Sequence, residues 1–332
     1  MTRVKSTQPR VATLLGCYWG SANTDDVAYD FGMTKQFGKT DLEALPWTRR
    51  KFLASGAMSA MLPWALHGKA ASATVPVTTI PVGIEMYSVR NALAKDPAGT
   101  VRAVAEAGYA GLEFYAPYFA WSVSEAKEMR KLLDDLRIRC FSTHNDSEFL
   151  GGEKLQHARE LNLILGSKYI VMGSSHEKPG PEGWRAVADT LNAAAEKVEA
   201  DGLKVGYHNH QTEFRAIDGV RPIEILAKNT KPSVMLQLDV GTCIEAGSDP
   251  VAWIKANPGR IRSMHCKDWS PEAGKGYSVL FGEGVAPWKK LFEAAEHGGG
   301  LEYYLVEQEG SRYSEIETAQ KCLRAFRETH GA

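Results

Sequence analysis

Two histidines stand two residues apart in the run Lys204–Phe214, which reads KVGYHNHQTEF. Lys204, Val205, Gly206 and Tyr207 suit a short extended run. Strand side chains alternate faces, so His208 and His210 share one side and Asn209 takes the other. Two imidazoles on one face of a strand end are costly to bury unless something satisfies them. A metal ion does so, because neutral imidazole is a common ligand. Read alone, the pair is equally compatible with two surface histidines at a strand–loop junction.

Three later apolar runs also end in a polar group: Leu236-Gln237-Leu238-Asp239, Ser263-Met264-His265-Cys266-Lys267-Asp268 and Tyr304-Leu305-Val306-Glu307-Gln308-Glu309. His208, Asp239, His265 and Glu307 are separated by 31, 26 and 42 residues (239−208, 265−239, 307−265). Each gap is about one strand–loop–helix unit, so the four groups can converge at one mouth. Two imidazoles and two carboxylates form a nitrogen–oxygen set without thiolate. That set suits one divalent ion, manganese first, with magnesium, cobalt, iron or zinc as alternatives. It leaves a position open for substrate oxygens. Taken singly, Asp239 suits a turn before Gly241, His265 a hydrogen-bonded core position, and Glu307 an ion pair with Lys267 or Arg262. Four such groups at four successive strand ends favour a site. Lys267 shares the side of His265 one step outward, where it could meet substrate, while Met264 and Cys266 face the other way. Glu309 stands likewise above Glu307, and His210 above His208.

These groups need a scaffold that brings strand ends together. From Pro81 the chain alternates short apolar runs with longer amphipathic ones. Strands are expected at Val82–Tyr87, Gly111–Tyr115, Arg137–Thr143, Tyr169–Gly173, Lys204–His208, Ser233–Val240, Ile261–Lys267 and Tyr303–Gln308. Helices are expected at Pro97–Ala107, Ser124–Leu136, Glu153–Leu165, Gly183–Ala200, Ile223–Lys228, Pro250–Ala256, Pro287–Glu296 and Glu315–Thr329. In Ser124–Leu136 the apolar Ala126, Met129, Leu132 and Leu133 fall at helical spacing. Strict strand–helix alternation demands parallel pairing. Eight units in about 250 residues give an α/β fold, the (β/α)8 TIM barrel. An open doubly wound sheet is the rival, but no glycine fingerprint follows the first strand. In a barrel the reactive groups sit where strands end and loops begin.

The chain has 332 residues, net charge −1 and 44% hydrophobic residues. That is globular composition without the basic patch that nucleic acid would require. Its front differs from the rest. Residues 1–46 show no period and are expected to be disordered, or to lie upstream of the natural product, with Met33 as an alternative start. Thr48-Arg49-Arg50-Lys51-Phe52-Leu53 precedes an apolar run, Ala54–Leu66, and Ala71-Ser72-Ala73. A basic region, a short apolar region and a small-residue cleavage pattern make a signal peptide, and the paired arginines resemble the twin-arginine export signal. The expected division is 1–73 for the leader and 74–332 for the barrel, exported to the periplasm without a stable membrane anchor. The cysteines at 17, 140, 243, 266 and 322 form no CxxC pair, so thiolate zinc is not expected and the thiols of the barrel should be free and buried.

The chain from Val82 onward resembles the xylose-isomerase-like sugar isomerase/epimerase family. The resemblance rests on GIEMYSVR at 83–90, YAGLEF at 109–114, YHNHQTEF at 207–214, Leu238-Asp239-Val240, His265-Cys266-Lys267-Asp268, GEGV at 282–285 and Val306-Glu307-Gln308. It implies a metal-dependent barrel with ligands at His208, Asp239, His265 and Glu307. One departure matters. Epimerases of the family usually carry Glu where this chain has His208, paired with the position of Glu307 as acid and base. The YHNH pattern is more similar to the branch of inosose dehydratase relatives and exported lyases acting on 3-keto-glycosides. The resemblance implies a small sugar or keto-sugar as substrate and removal of a proton next to its carbonyl. Return of that proton elsewhere isomerises, and loss of a leaving group eliminates. Candidate bases are His210, His144 and Glu113, with Lys267 as an electrostatic partner. Tyr115, Phe119, Trp121 and Trp269 fall in expected loops at the same mouth, suited either to a sugar ring or to loop packing. A non-catalytic exported sugar-binding protein is the rival of another class, and the oligomeric state is left open, a homo-oligomer included. An endonuclease of the same barrel family would need a basic groove.

Overall fold

The computed structural model describes residues 80–175 and 180–331. The expected leader, with Arg49, Arg50 and Ala71-Ser72-Ala73, lies outside the described residues. Eight strands are formed: β1 (Val82–Glu85), β2 (Gly111–Phe114), β3 (Arg139–Asp146), β4 (Tyr169–Ser174), β5 (Lys204–His208), β6 (Met235–Asp239), β7 (Ser263–Cys266) and β8 (Tyr303–Val306). Each pairs in parallel with its sequence neighbour, and β8 pairs with β1. The sheet is a closed barrel. Closure leaves no unpaired edge, which a sheet this short would otherwise expose to other chains.

Local chemistry sets the helices between the strands. Asp96 accepts from the Gly99 amide at 2.8 Å and Pro97 opens helix Pro97–Ala107, which stops at Gly108 with φ +99°. Ser122 and Glu125 form a reciprocal cap on helix Val123–Leu136. Its Ala126, Met129, Leu132 and Leu133 are buried against the barrel. Burying a side chain such as Leu133 stabilises by roughly 1.5–3 kcal/mol, so a charge there would detach the helix.

Among the described residues the alternation expected from sequence is present, with three additional short α-helices. Arg90–Lys95 precedes helix Pro97–Ala107, Gln211–Phe214 follows β5, and Val240–Glu245 follows β6. The second and third of these lie close behind strand ends, whereas the turn Met86–Val89 separates the first from β1. A second irregularity is a register shift between β2 and β3, where Leu112 pairs with Cys140 but Glu113 with Ser142. Phe141 is the extra residue, and the shift restarts the inward–outward alternation of β3 before His144. Cys140, Cys243, Cys266 and Cys322 are free and buried, as expected. Among the described residues no helix is long and apolar enough to cross a membrane.

Candidate metal centre

Strand alternation brings a polar layer into the barrel at its carboxyl end. Glu85, Glu113, His144, His208, Gln237, Asp239, His265 and Glu307 come from β1, β2, β3, β5, β6, β7 and the end of β8. All but His144 are buried. β4 contributes Gly173 at this level. A Cβ there would stand 2.9 Å from His144 Cγ, so the missing side chain is the space the imidazole uses.

The four residues singled out as ligands do converge. One ligand atom from each of His208, Asp239, His265 and Glu307 lies within 4.8 Å of the other three. Asn209, on the opposite face from His208, sets two of them side by side. Its amide nitrogen donates to Thr242 Oγ1 at 3.0 Å and to the Asp239 carbonyl at 3.3 Å, and its oxygen accepts from the Asp239 amide at 3.1 Å. Glu213 braces the turn beyond, accepting from Tyr207 Oη at 2.7 Å and from the His210 amide at 2.8 Å. The His210 ring lies 5.1 Å from that of His208 at the half-exposed rim.

Hydrogen bonds fix the state of each imidazole. His208 Nδ1 faces Gln237 Oε1 at 3.1 Å, so it carries the proton and Nε2 presents its lone pair toward Asp239 Oδ2, 3.8 Å away. Burial, with the neighbouring charges of His265, His144, His210 and Lys267, holds His208 well below the usual histidine range and therefore neutral. His265 is the reverse. Its Nδ1 lies 2.6 Å from Glu307 Oε2 and its Nε2 lies 2.8 Å from Glu113 Oε1. Burial opposes charge on this ring, yet the two carboxylates outweigh it and push it up to about 9. Burial likewise opposes ionisation of Glu307, but Lys267 and His265 hold it well below the usual carboxylate range.

Lys267 is 1% exposed, with Nζ 2.7 Å from Asp239 Oδ2, 2.8 Å from Glu309 Oε1 and 3.4 Å from Glu307 Oε1. Burial opposes its charge, and the three carboxylates restore it. Lys267, expected one step outward of His265, is thus buried among carboxylates at the site. The residues after β7 fold back over it, and Tyr277 places its ring centroid 5.0 Å from Nζ. Asp239 Oδ1 accepts from the Thr242 amide at 3.0 Å, and buried Oδ2 is ion-paired with Lys267 Nζ at 2.7 Å. Burial pushes Asp239 up against the pull of that lysine.

Glu113 and His144, read as candidate bases, are tied into the same network. Glu113 Oε1 holds both His265 and His144, the latter at 3.0 Å, while Oε2 accepts from Gln237 Nε2 at 3.0 Å. His144 Nε2 also lies 2.7 Å from Gln237 Oε1. Of the aromatics, Phe119 packs on Phe149 at 4.3 Å, Trp121 on Phe114 at 5.0 Å, and Tyr115 edge-on to Tyr87 at 5.4 Å. These three are engaged in loop packing.

Sequence reasoning passed over Gln237 and Glu85. Gln237 joins His144, His208, Glu113 and Ser263, the last at 3.1 Å. Its signal was present as a polar residue on the face of Asp239 within LQLD. Glu85 is 1% exposed. Its Oε1 accepts from the Tyr87 amide at 3.3 Å, and its Oε2 has no hydrogen-bond partner. Burial first, and then the charge of Glu113, raise it well above the usual carboxylate range. A lone carboxylate inside the apolar run Ile84-Glu85-Met86 was the legible sign.

The sequence pattern described as the xylose isomerase-like TIM barrel matches residues 101–329. The inosose dehydratase of Geobacillus thermodenitrificans is 25% identical over 210 residues, which cover 58% of this chain and 70% of that protein. The inosose dehydratase of Clostridium beijerinckii is 23% identical over 168 residues, covering 45% of this chain, and the match spans 56% of that relative's length. Among solved structures, a sugar phosphate isomerase/epimerase from Parabacteroides distasonis superposes with TM-score 0.64 at 25% identity, covering 78% of this chain and 96% of that one. The IOLI protein with a binding zinc atom superposes with TM-score 0.59 at 17% identity, covering 75% of this chain and 97% of that one, which is a likeness of fold.

Proposed function

The chain belongs to the xylose isomerase-like TIM barrel family, and from that premise we propose that it is a sugar-processing enzyme acting with one divalent metal ion. His208, Asp239, His265 and Glu307 would hold the ion, with manganese first and magnesium, cobalt, iron or zinc as alternatives. The observation that carries this reading is the convergence of the four buried ligand atoms, two imidazole nitrogens and two carboxylate oxygens, within 4.8 Å. Buried carboxylates are paired or coordinate metals, and a nitrogen–oxygen donor set of this kind suits a divalent cation. Bound there, the ion would act as a Lewis acid on a substrate carbonyl and adjacent hydroxyl.

The chain's own residues supply the rest of the proposed chemistry. Glu113 accepts at His265 Nε2, so Nδ1 is the nitrogen left for the site, in the pattern of a carboxylate behind a ligand imidazole. Gln237 does the corresponding work for His208 by accepting at Nδ1. Lys267, held among Asp239, Glu307 and Glu309, adds fixed positive charge where negative charge develops on substrate. His210, on the face of His208 and nearer solvent, is the base we assign to the proton next to the carbonyl. Glu113 is held by two imidazoles and Gln237, and His144 by Glu113 and Gln237, so both serve better as positioning groups than as the base.

Elimination is placed ahead of isomerisation. A two-base epimerase needs a carboxylate where this chain has His208, which is buried and neutral. The named relatives are inosose dehydratases, and a dehydratase removes water. A 3-keto-glycoside is the substrate class proposed, and ketose isomerisation or epimerisation is the second reading, favoured by the Parabacteroides neighbour. The arginine pair and Ala-Ser-Ala support export to the periplasm. The test is metal analysis of purified protein and of Asp239→Ala. Stoichiometric metal in the parent and its loss from a folded variant support the reading. Metal retained by Asp239→Ala would place the site elsewhere.

A further inference from the structure

The GEGV motif at 282–285 lies outside the metal centre, and its structural partner is Asp268. Asp268 follows Lys267 directly and is 1% exposed. Its Oδ1 accepts from the amides of Trp269 at 2.9 Å and Ala286 at 3.2 Å. Its Oδ2 accepts from the amides of Gly282 at 2.9 Å and Gly284 at 3.2 Å and from Trp288 Nε1 at 2.9 Å. Five donors from both ends of one loop thus meet on one carboxylate. Gly284 makes the approach feasible. A Cβ there would lie 2.1 Å from Asp268 Oδ1 and 2.4 Å from the Trp269 carbonyl oxygen.

The loop so gathered, residues 269–287, covers Lys267. Tyr277 lies over the ammonium, and its hydroxyl bonds to Glu245 beyond β6. Its carbonyl accepts from Gln308 Nε2 at 2.5 Å beyond β8, and Glu283 pairs with Arg312 at 2.7 Å. The strap is therefore pinned on both sides, and its two ends are tied together by the Val285 amide, which donates to the Trp269 carbonyl at 2.9 Å, and by the five donors gathered on Asp268. We propose that Asp268 is a positioning residue that closes the 269–287 strap over Lys267 and so holds that lysine against Asp239 and Glu307. Its effect on turnover rests on the function proposed above, whereas the closure itself does not.

Two variants test this on the full-length, manganese-loaded protein. Asp268→Asn replaces an acceptor with a donor facing amide donors, and Gly284→Ala drives a methyl group into the carboxylate. Each should make acetylation of Lys267 by acetic anhydride about 10–100-fold faster, the range for losing charge-assisted hydrogen bonds to a buried group. Amide exchange should accelerate at Gly282, Gly284 and Ala286 while β1 to β5 keep their protection. Faster exchange throughout the barrel, or unchanged acetylation of Lys267 in both variants, would overturn the proposal. Deuterium uptake into a 3-keto-glucoside supplies the functional arm. Asp268→Asn should slow it at least about tenfold, and Asp268→Asn combined with Lys267→Met should be no slower than Lys267→Met alone, because the two act in series. Additive losses would overturn the assignment to Lys267. If the parent protein exchanges no deuterium, the functional reading fails, and acetylation with amide exchange still decides the role of Asp268.

Discussion

Metal binding at the proposed centre should release a proton, and the structure gives the amount. His265 is held between Glu113 and Glu307 with both ring nitrogens facing carboxylate oxygens, and its pKa is pushed up to about 9. At pH 7 the ring of the metal-free protein therefore carries its proton. A ligand imidazole must be neutral. His208 is already neutral and Glu307 already ionised. Each ion bound at pH 7 should accordingly displace about one proton, and affinity should fall about tenfold for each pH unit below 9. Calorimetric titration with Mn²⁺ in two buffers of different ionisation enthalpy measures that number directly. The perturbation is Glu113→Gln. A carboxylate accepts from His265 on one oxygen and from Gln237 on the other, whereas an amide must turn its nitrogen toward one of them. The variant should release clearly less than one proton. After correction for that proton it should bind about 10–100-fold more weakly, the usual worth of a carboxylate behind a ligand imidazole. Proton release near zero in the parent, or unaltered release and affinity in Glu113→Gln, would refute the assignment of His265 as a ligand braced by Glu113.

Other consequences are smaller in scope. His210→Ala should lower turnover by about 10²–10⁴, the range for a general base, with metal content unchanged, and loss of metal would instead make it a ligand. His208→Glu should shift products toward epimerisation if that residue decides the outcome, which product analysis by mass reads out. Glu85 holds its proton in the folded state to higher pH than in the unfolded chain, so it subtracts stability as pH rises above about 4.5. Glu85→Gln should then gain in melting temperature on the parent between pH 4.5 and pH 7.5, and a gap independent of pH would contradict the neutral acid inferred for Glu85. Changing Arg49 and Arg50 to Lys should keep the protein out of the periplasm, and unaltered export would remove the case for a twin-arginine leader.

The barrel was legible because each strand is short and apolar and each intervening helix carries its own start and stop. Helix Pro97–Ala107, strand Lys204–His208 and helix Pro250–Ala256 have the bounds expected from sequence. The four proposed ligands were legible for a related reason, since alternation along β5, β6, β7 and β8 settles which residue faces inward. The burial of Lys267 was not legible, because it depends on a fold-back closed through Asp268 and Trp288, which no local period reveals. His144 and Glu113 were named without their relation, because the register shift at Phe141 and the small volume of Gly173 bring them together only in three dimensions. Gln237 was overlooked because it is neutral, and neutral hubs carry no ligand signature although they determine which nitrogen of His208 is free.

The central claim is that a metal at His208, Asp239, His265 and Glu307 enables proton removal next to a sugar carbonyl. Mass spectrometry of a 3-keto-glucoside incubated in D2O with the manganese-loaded protein tests it most directly. The account predicts deuterium uptake at the carbon next to the carbonyl, with elimination of the aglycone accompanying it. Both should disappear after chelation and in Asp239→Ala. No uptake by protein carrying stoichiometric metal, or equal uptake after the metal is stripped, would contradict it.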